Sequence, residues 1–152
     1  MKMVRTGGWL LALVAGVLVG TFWVFQGSVQ AETITVYRNP QCGCCERWAT
    51  VMRNHGFTVQ VKDVADVDGT AAANGVPPAL RACHTALVGG YVIEGHVPAA
   101  QIERLLRERP GIKGIAVPGM PEGSPGMESP NARHFDVFSF DAGGKTRVYE
   151  SR

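Results

Sequence analysis

Three cysteines crowd into four positions in the stretch Asn39-Pro40-Gln41-Cys42-Gly43-Cys44-Cys45. The run ahead of it, Thr33-Ile34-Thr35-Val36-Tyr37, is β-branched and alternating, and Asn39-Pro40 closes it as a strand end. Behind it, Cys45, Trp48, Ala49, Met52 and His55 recur at helical spacing, and Gly56 stands where a left-handed cap ends a helix. The sulfurs therefore occupy a strand-to-helix junction. Free amides and the dipole at a helix start favour thiolate over thiol, so this junction suits thiol or soft-metal chemistry.

Further along, Phe57 to Lys62 alternates again and predicts a second strand, parallel to the first through a right-handed crossover. Residues 64–82 carry only a weak signal for short helices, broken at Gly75. His84 to Val88, the turn Gly89-Gly90 and Tyr91 to Glu94 predict a β-hairpin, with Cys83 at its entry. Pro98 opens a helix in which Ile102, Leu105 and Leu106 share a face, Glu103 can reach Arg107, and Pro110 ends it. The order β-α-β, helical linker, β-hairpin, α is that of an α/β, thioredoxin-like fold.

From Gly111 to Arg133 the chain is rich in glycine and proline, with a doubled Pro-Gly-Met at 118–120 and 125–127. A loop of that length in a compact domain is usually functional or disordered. Phe135 to Phe140 and Lys145 to Glu150, joined by Asp141-Ala142-Gly143-Gly144, predict a C-terminal β-hairpin.

The amino end reads as a targeting segment. Residues 1–31 hold Lys2 and Arg5 but no acid, then an apolar run from Gly7 to Phe25, and Val29-Gln30-Ala31 offers small residues for cleavage after Ala31. The apolar run is also long enough to span a bilayer, so an uncleaved leader would be a membrane anchor. Either way the positive flank stays inside and residues 32–152 are exported as one domain. The absence of a cysteine near residue 31 excludes lipid attachment there, and the lack of a second arginine beside Arg5 argues against a twin-arginine signal.

Beyond residue 31 the chain has 13 basic and 13 acidic residues, so no basic face supports nucleic-acid binding. Outside the cytoplasm, thiols oxidise unless a metal or reductant holds them. Four cysteines are too sparse for a disulfide-stapled miniprotein.

Three chemistries compete at the cysteines. Cys42 and Cys45 have the C-x-x-C spacing of a thioredoxin redox pair, which makes a thiol-disulfide oxidoreductase the alternative function, but that scheme leaves Cys44 unused. Zinc usually takes paired C-x₂₋₄-C elements, and the second pair is missing. A soft-metal site uses all three sulfurs, and thiolates select Cu(I), zinc or iron–sulfur clusters. Cys83 taken alone is an ordinary buried small residue. In a thioredoxin-like topology, however, the segment entering the third strand lies against the start of helix one, where such enzymes place a cis-proline. Here Cys83-His84-Thr85 takes that place, which would add a fourth sulfur.

His84 and His96 are secondary candidates as nitrogen ligands, although single histidines beside strands more often pack or hydrogen-bond. Met120 and Met127 are thioether candidates, suited to Cu(I) and to closing over the site or passing metal on; the plain alternative is core packing. His55 reads as a surface residue complementing a helix dipole.

Taken together, Tyr37 to Cys45, Ala82-Cys83-His84-Thr85-Ala86, Gly90 to Ala99, Val117 to Pro121 and Gly123 to Glu128 resemble the CopG-like family of exported, thioredoxin-fold, metal-binding proteins associated with bacterial copper resistance. The resemblance implies Cys42, Cys44, Cys45 and Cys83 as metal ligands, copper as the cofactor, and periplasmic copper-resistance proteins as donors or acceptors. It points to copper binding in the periplasm by a metal-binding protein rather than a classical enzyme; the four thiols themselves predict that the ion held is Cu(I), with copper-thiol redox chemistry as an extension. A fainter likeness runs to thioredoxin-fold arsenate reductases, which share Asn-Pro-x-Cys after a first strand but are cytosolic and gather arginines where this chain gathers cysteine.

Overall fold

The computed structural model describes residues 32–152. The expected leader, residues 1–31, lies outside the described residues. Strand β1 (Thr33–Arg38) leads into helix α1 (Gly43–Asn54), and β2 (Thr58–Asp63) returns parallel to β1 with Ile34 beside Val59 and Val36 beside Val61. Helix α2 (Val67–Ala73) starts at Asp66, whose carboxylate accepts the Gly69 amide, and a 3₁₀ turn (Pro78–Leu80) completes the linker.

The hairpin β3 (His84–Val88) and β4 (Tyr91–Gly95) follows, and β3 runs antiparallel to β1. Helix α3 (Ala99–Glu108) begins after Pro98. The order expected from the sequence is the order found. Two side-chain details differ: Glu103 faces His55 at 3.7 Å, and the i,i+4 pair on α3 is Arg104 with Glu108.

A further strand lies inside the stretch read as loop. Gly114–Val117 forms β5, fully buried and parallel to β4. It also pairs antiparallel with β6 (Asp136–Phe140), which pairs with β7 (Thr146–Ser151) across a bulge at Val137/Phe138. The C-terminal hairpin thus extends one seven-stranded sheet of order β2-β1-β3-β4-β5-β6-β7.

Alternation along the central strands sends side chains to two cores. Ile93 and Ile115 join Trp48 and Met52 of α1 and Ile102 and Leu105 of α3 on one face. Val92 and Ala116 join Ala71, Leu80 and Phe140 on the other. Among the described residues no helix is long and apolar enough to cross a membrane.

This topology brings four chain segments to one end of the sheet. The end of β1, the entry to β3, the exit from β4 and the exit from β5 all lie there, because Arg38 pairs with His84, Thr85 with Glu94 and Gly95 with Val117.

Candidate metal centre

Helix α1 starts on sulfur. Cys42 is its N-cap, and the Cys42 Sγ accepts the Cys45 amide at 3.3 Å, so a cysteine sulfur takes the place that serine or aspartate usually fills. Arg38, at the end of β1, steadies this turn: its Nη1 donates to the Cys42 carbonyl at 3.3 Å, while its other nitrogens face Glu46 and Asp63.

The helical turn then separates the three sulfurs by depth. Cys45 is wholly buried, Cys42 and Cys44 are half-buried, and the Cys42 and Cys44 sulfurs lie 3.4 Å apart. Cys42 and Cys45 are joined as a disulfide, and Cys44 and Cys83 are free.

Cys83 arrives from the other side of the sheet end. Its carbonyl oxygen lies 3.5 Å from the Cys45 sulfur, and the sulfurs of Cys42, Cys44, Cys45 and Cys83 all lie within 4.8 Å of one another. Burial, reinforced by the neighbouring Cys44 sulfur, pushes the Cys83 thiol up to about 12. Left to itself this sulfur keeps its proton, and a cation must displace it before the thiolate can ligate.

Both histidine candidates reach the cluster. His96 Nδ1 lies 2.7 Å from the Pro125 carbonyl, which can only accept, so Nδ1 carries the proton and Nε2 presents its lone pair to the Cys83 sulfur at 3.1 Å. Burial lowers the His96 pKa and holds the ring in that neutral form. A backbone carbonyl on one nitrogen and a free lone pair on the other is the arrangement of metal-ligating histidines.

His84 is fully buried against Trp48, with ring centroids 4.5 Å apart. Its Nδ1 lies 3.5 Å from the Cys83 sulfur, and its Nε2 has no hydrogen-bond partner. Burial, then the nearby His96, drives its pKa down to about 3, so it too stays neutral. Cys83, His84 and His96 form a second set of donors within 4.8 Å, sharing one sulfur with the first.

The Pro-Gly-Met loop folds over this end of the sheet as a series of tight turns: Gly123 N bonds Met127 O, and Met127 N bonds Ser124 O. Two contacts fasten it to the rest of the fold, and a third braces it from within. His96 holds Pro125, Arg47 Nε donates to the Gly126 carbonyl at 2.8 Å, and Glu128 accepts the Gly126 amide at 2.7 Å. Gly126 sits at φ 83 against α1, where a Cβ would fall 2.7 Å from the Trp48 nitrogen and 3.0 Å from the Cys44 carbonyl. Glycine is required there by both conformation and space.

The two methionines part company. Met120 Sδ lies 3.6 Å from Cys44 Sγ and is half exposed, at 50%, whereas Met127 Sδ lies 4.0 Å from Arg47 Nη2. Met120 therefore joins the sulfur cluster at its solvent side, and Met127 faces a guanidinium. His55 is the exposed C-cap of α1, with its ring against Glu103.

Three residues that shape this end escape a reading by residue type: Arg38, Arg47 and Glu94. Arginines at a strand end, like Arg38, or early in a helix, like Arg47, look like solvated surface. Glu94 leaves a fainter signal as the one charged side chain in the apolar run Tyr91-Val92-Ile93-Glu94-Gly95.

Comparison with known proteins agrees with this geometry. A family model described as a protein of unknown function, DUF411, matches residues 80–127, which span Cys83, His84, His96 and the Pro-Gly-Met loop. Two solved structures of a copper resistance protein CopG, forms 2 and 1, are each 39% identical over 81% of this chain. The first superposes with a TM-score of 0.77 over 99% of its own length, the second with 0.76 over 98%. No curated protein sequence matches the chain. Identity at this level across nearly the whole of those chains, with a sulfur cluster at the sheet end, makes this chain a member of the CopG-like copper resistance family.

Proposed function

We propose that this chain is a periplasmic copper-binding protein of copper resistance, holding Cu(I) on the thiolates of Cys42, Cys44, Cys45 and Cys83. The observation that carries this is the mutual approach of all four sulfurs to within 4.8 Å, one of them from a segment 38 residues beyond Cys45. Soft donors at that spacing suit a soft ion, and bridging sulfurs let four cysteines hold more than one. His96 Nε2, 3.1 Å from the Cys83 sulfur, and Met120 Sδ, 3.6 Å from the Cys44 sulfur, would complete the shell; His84, 3.5 Å from the Cys83 sulfur, comes next, and Met127 has the weakest case.

Residues 32–152 form the metal-binding domain, thioredoxin-like in element order, and residues 1–31 export it, either cleaved after Ala31 or kept as an anchor. Copper ions are the cargo, and periplasmic copper-resistance proteins are the donors or acceptors.

A second activity is favoured by the Cys42–Cys45 disulfide. Two thiols passing to one disulfide release two electrons and two protons, enough to reduce two Cu(II) to two Cu(I). Ligation by both sulfurs requires the reverse reduction, so copper loading and thiol redox state are linked. A thiol-disulfide oxidoreductase using only Cys42 and Cys45 is the competing function.

Native mass spectrometry of anaerobically reduced protein, titrated with Cu(I) and with Zn²⁺, tests the proposal. Tight Cu(I) uptake in preference to zinc is expected, with sharply reduced uptake when the Cys42–Cys45 disulfide is left intact. If the four-thiol site is the function, Cys44→Ser or Cys83→Ser should abolish tight loading; the competing function instead predicts that insulin-disulfide turnover stays largely intact in either variant. Absence of Cu(I) uptake, or equal preference for zinc, would overturn the proposal.

A further inference from the structure

The fourth sulfur lies on no secondary-structure element. Cys83 belongs to the extended link between the 3₁₀ turn and β3, so its position depends on what holds that link. Three consecutive residues at the end of β4 meet it. Glu94, fully buried, accepts the Ala82 amide on Oε1 at 2.8 Å and the Thr85 hydroxyl on Oε2 at 2.7 Å. Gly95, at φ 70, leaves room for the Ala82 methyl, which a Cβ would approach to 2.7 Å while striking the Val117 carbonyl. His96 then meets the Cys83 sulfur itself.

The two carboxylate bonds close on the residue before Cys83 and the second residue after it. Glu94 is the cross-strand neighbour of Thr85, so the carboxylate spans the link from a rigid strand in the middle of the sheet. Burying a carboxylate is costly, and a residue needed here only for packing would be apolar like Val92 and Ile93. The groups it satisfies are a backbone amide outside the sheet ladder and a hydroxyl, both flanking one cysteine.

We propose that Glu94 is a positioning residue for Cys83, clamping Ala82 and Thr85 so that the Cys83 sulfur stays within reach of the other three. This rests on the four-thiol site proposed above. The partner that orients a metal ligand commonly matters about 10- to 100-fold in metal affinity, and the same is expected here.

The test uses the full chain, reduced and anaerobic. Glu94→Leu removes both acceptors and should lower Cu(I) affinity against a competing chelator by roughly 10- to 100-fold. Glu94→Gln should remain near wild type, because its amide oxygen accepts from Ala82 and its NH₂ reaches the Thr85 hydroxyl. Thr85→Val removes one arm, should give a smaller loss, and decides the matter if Glu94→Leu does not fold.

A second measurement needs no copper. In the metal-free chain, alkylation followed by peptide mapping compares Cys83 with Cys44 in the same molecule. Release of the clamp should speed alkylation of Cys83 several-fold while leaving Cys44 unchanged; a general loosening of the fold would move both. Unchanged Cys83 alkylation in Glu94→Leu and Thr85→Val, or parallel change at Cys44, overturns the positioning role. Wild-type copper affinity in Cys83→Ser would instead overturn the four-thiol site, and the alkylation result would still decide the clamp.

Discussion

At the scale of single residues, the sulfur cluster is built by giving ordinary structural positions to sulfur. Cys42 caps a helix, Cys45 fills a core position one turn inside, Cys44 lies between them toward solvent, and Cys83 ends a linker. Glycine does the complementary work by removing atoms. Gly126 lets the Pro-Gly-Met loop touch the backbone of α1 beside Cys44, so Gly126→Ala combines a left-handed conformation with a backbone collision. The expected cost is about 1–3 kcal/mol of unfolding free energy, read from urea denaturation. Met120 makes a separate prediction. As the half-exposed thioether beside Cys44, it stands on the solvent side of the cluster, and Met120→Leu should leave the copper stoichiometry unchanged while altering the rate of Cu(I) transfer to a chelator, measured by stopped flow.

At the scale of elements, most of the order was legible because each segment carried its own local pattern. β1, α1, β2 and both hairpins declared themselves by alternation, helical spacing or glycine turns, and Gly56 at φ 89 ends α1 as its position suggested. The strand β5 did not. Gly114-Ile115-Ala116-Val117 is too short to show a period, is flanked by glycine and proline, and is buried on both faces, so no polar alternation marks it. Only its partners β4 and β6 define it. Its central place makes it structurally expensive to damage: Ile115→Ala should cost about 2–5 kcal/mol by chemical denaturation, the range for truncating a buried aliphatic residue. The convergence of Cys83 on Cys42, Cys44 and Cys45 was legible only through topology and family likeness. The tautomer of His96, the separation of Met120 from Met127 and the Glu94 clamp depend on contacts between distant segments, which no local pattern encodes.

At the scale of the whole molecule, the sheet buries ionisable groups whose protons are linked to folding. Glu94, near Arg81 and Asp68, is pushed by burial from an ordinary 4.5 up to about 7. Its folded pKa exceeds its unfolded one, so its contribution is fully present below pH 4.5 and is lost as pH rises through 7. His84 works in the opposite sense, since its depressed pKa makes stability fall as pH drops from 6.5 toward 3. A comparison with Glu94→Gln isolates the first effect. Between pH 4.5 and 7 the metal-free wild type should lose on the order of 3 kcal/mol relative to that variant, from unfolding free energies measured across the range. An equal slope in both proteins would show that Glu94 does not hold its proton in the fold.

Trp48 is the one tryptophan between residues 32 and 152, and its indole packs at a 48° tilt against His84, whose ring adjoins the Cys83 sulfur. The indole is also tethered, donating to the Val97 carbonyl at 2.9 Å. The domain thus carries its own lamp beside the cluster, in a fixed orientation and shielded from solvent. Light emitted from it should dim as copper arrives and brighten when a chelator takes the ion away, so filling and emptying can be followed in real time without any added dye.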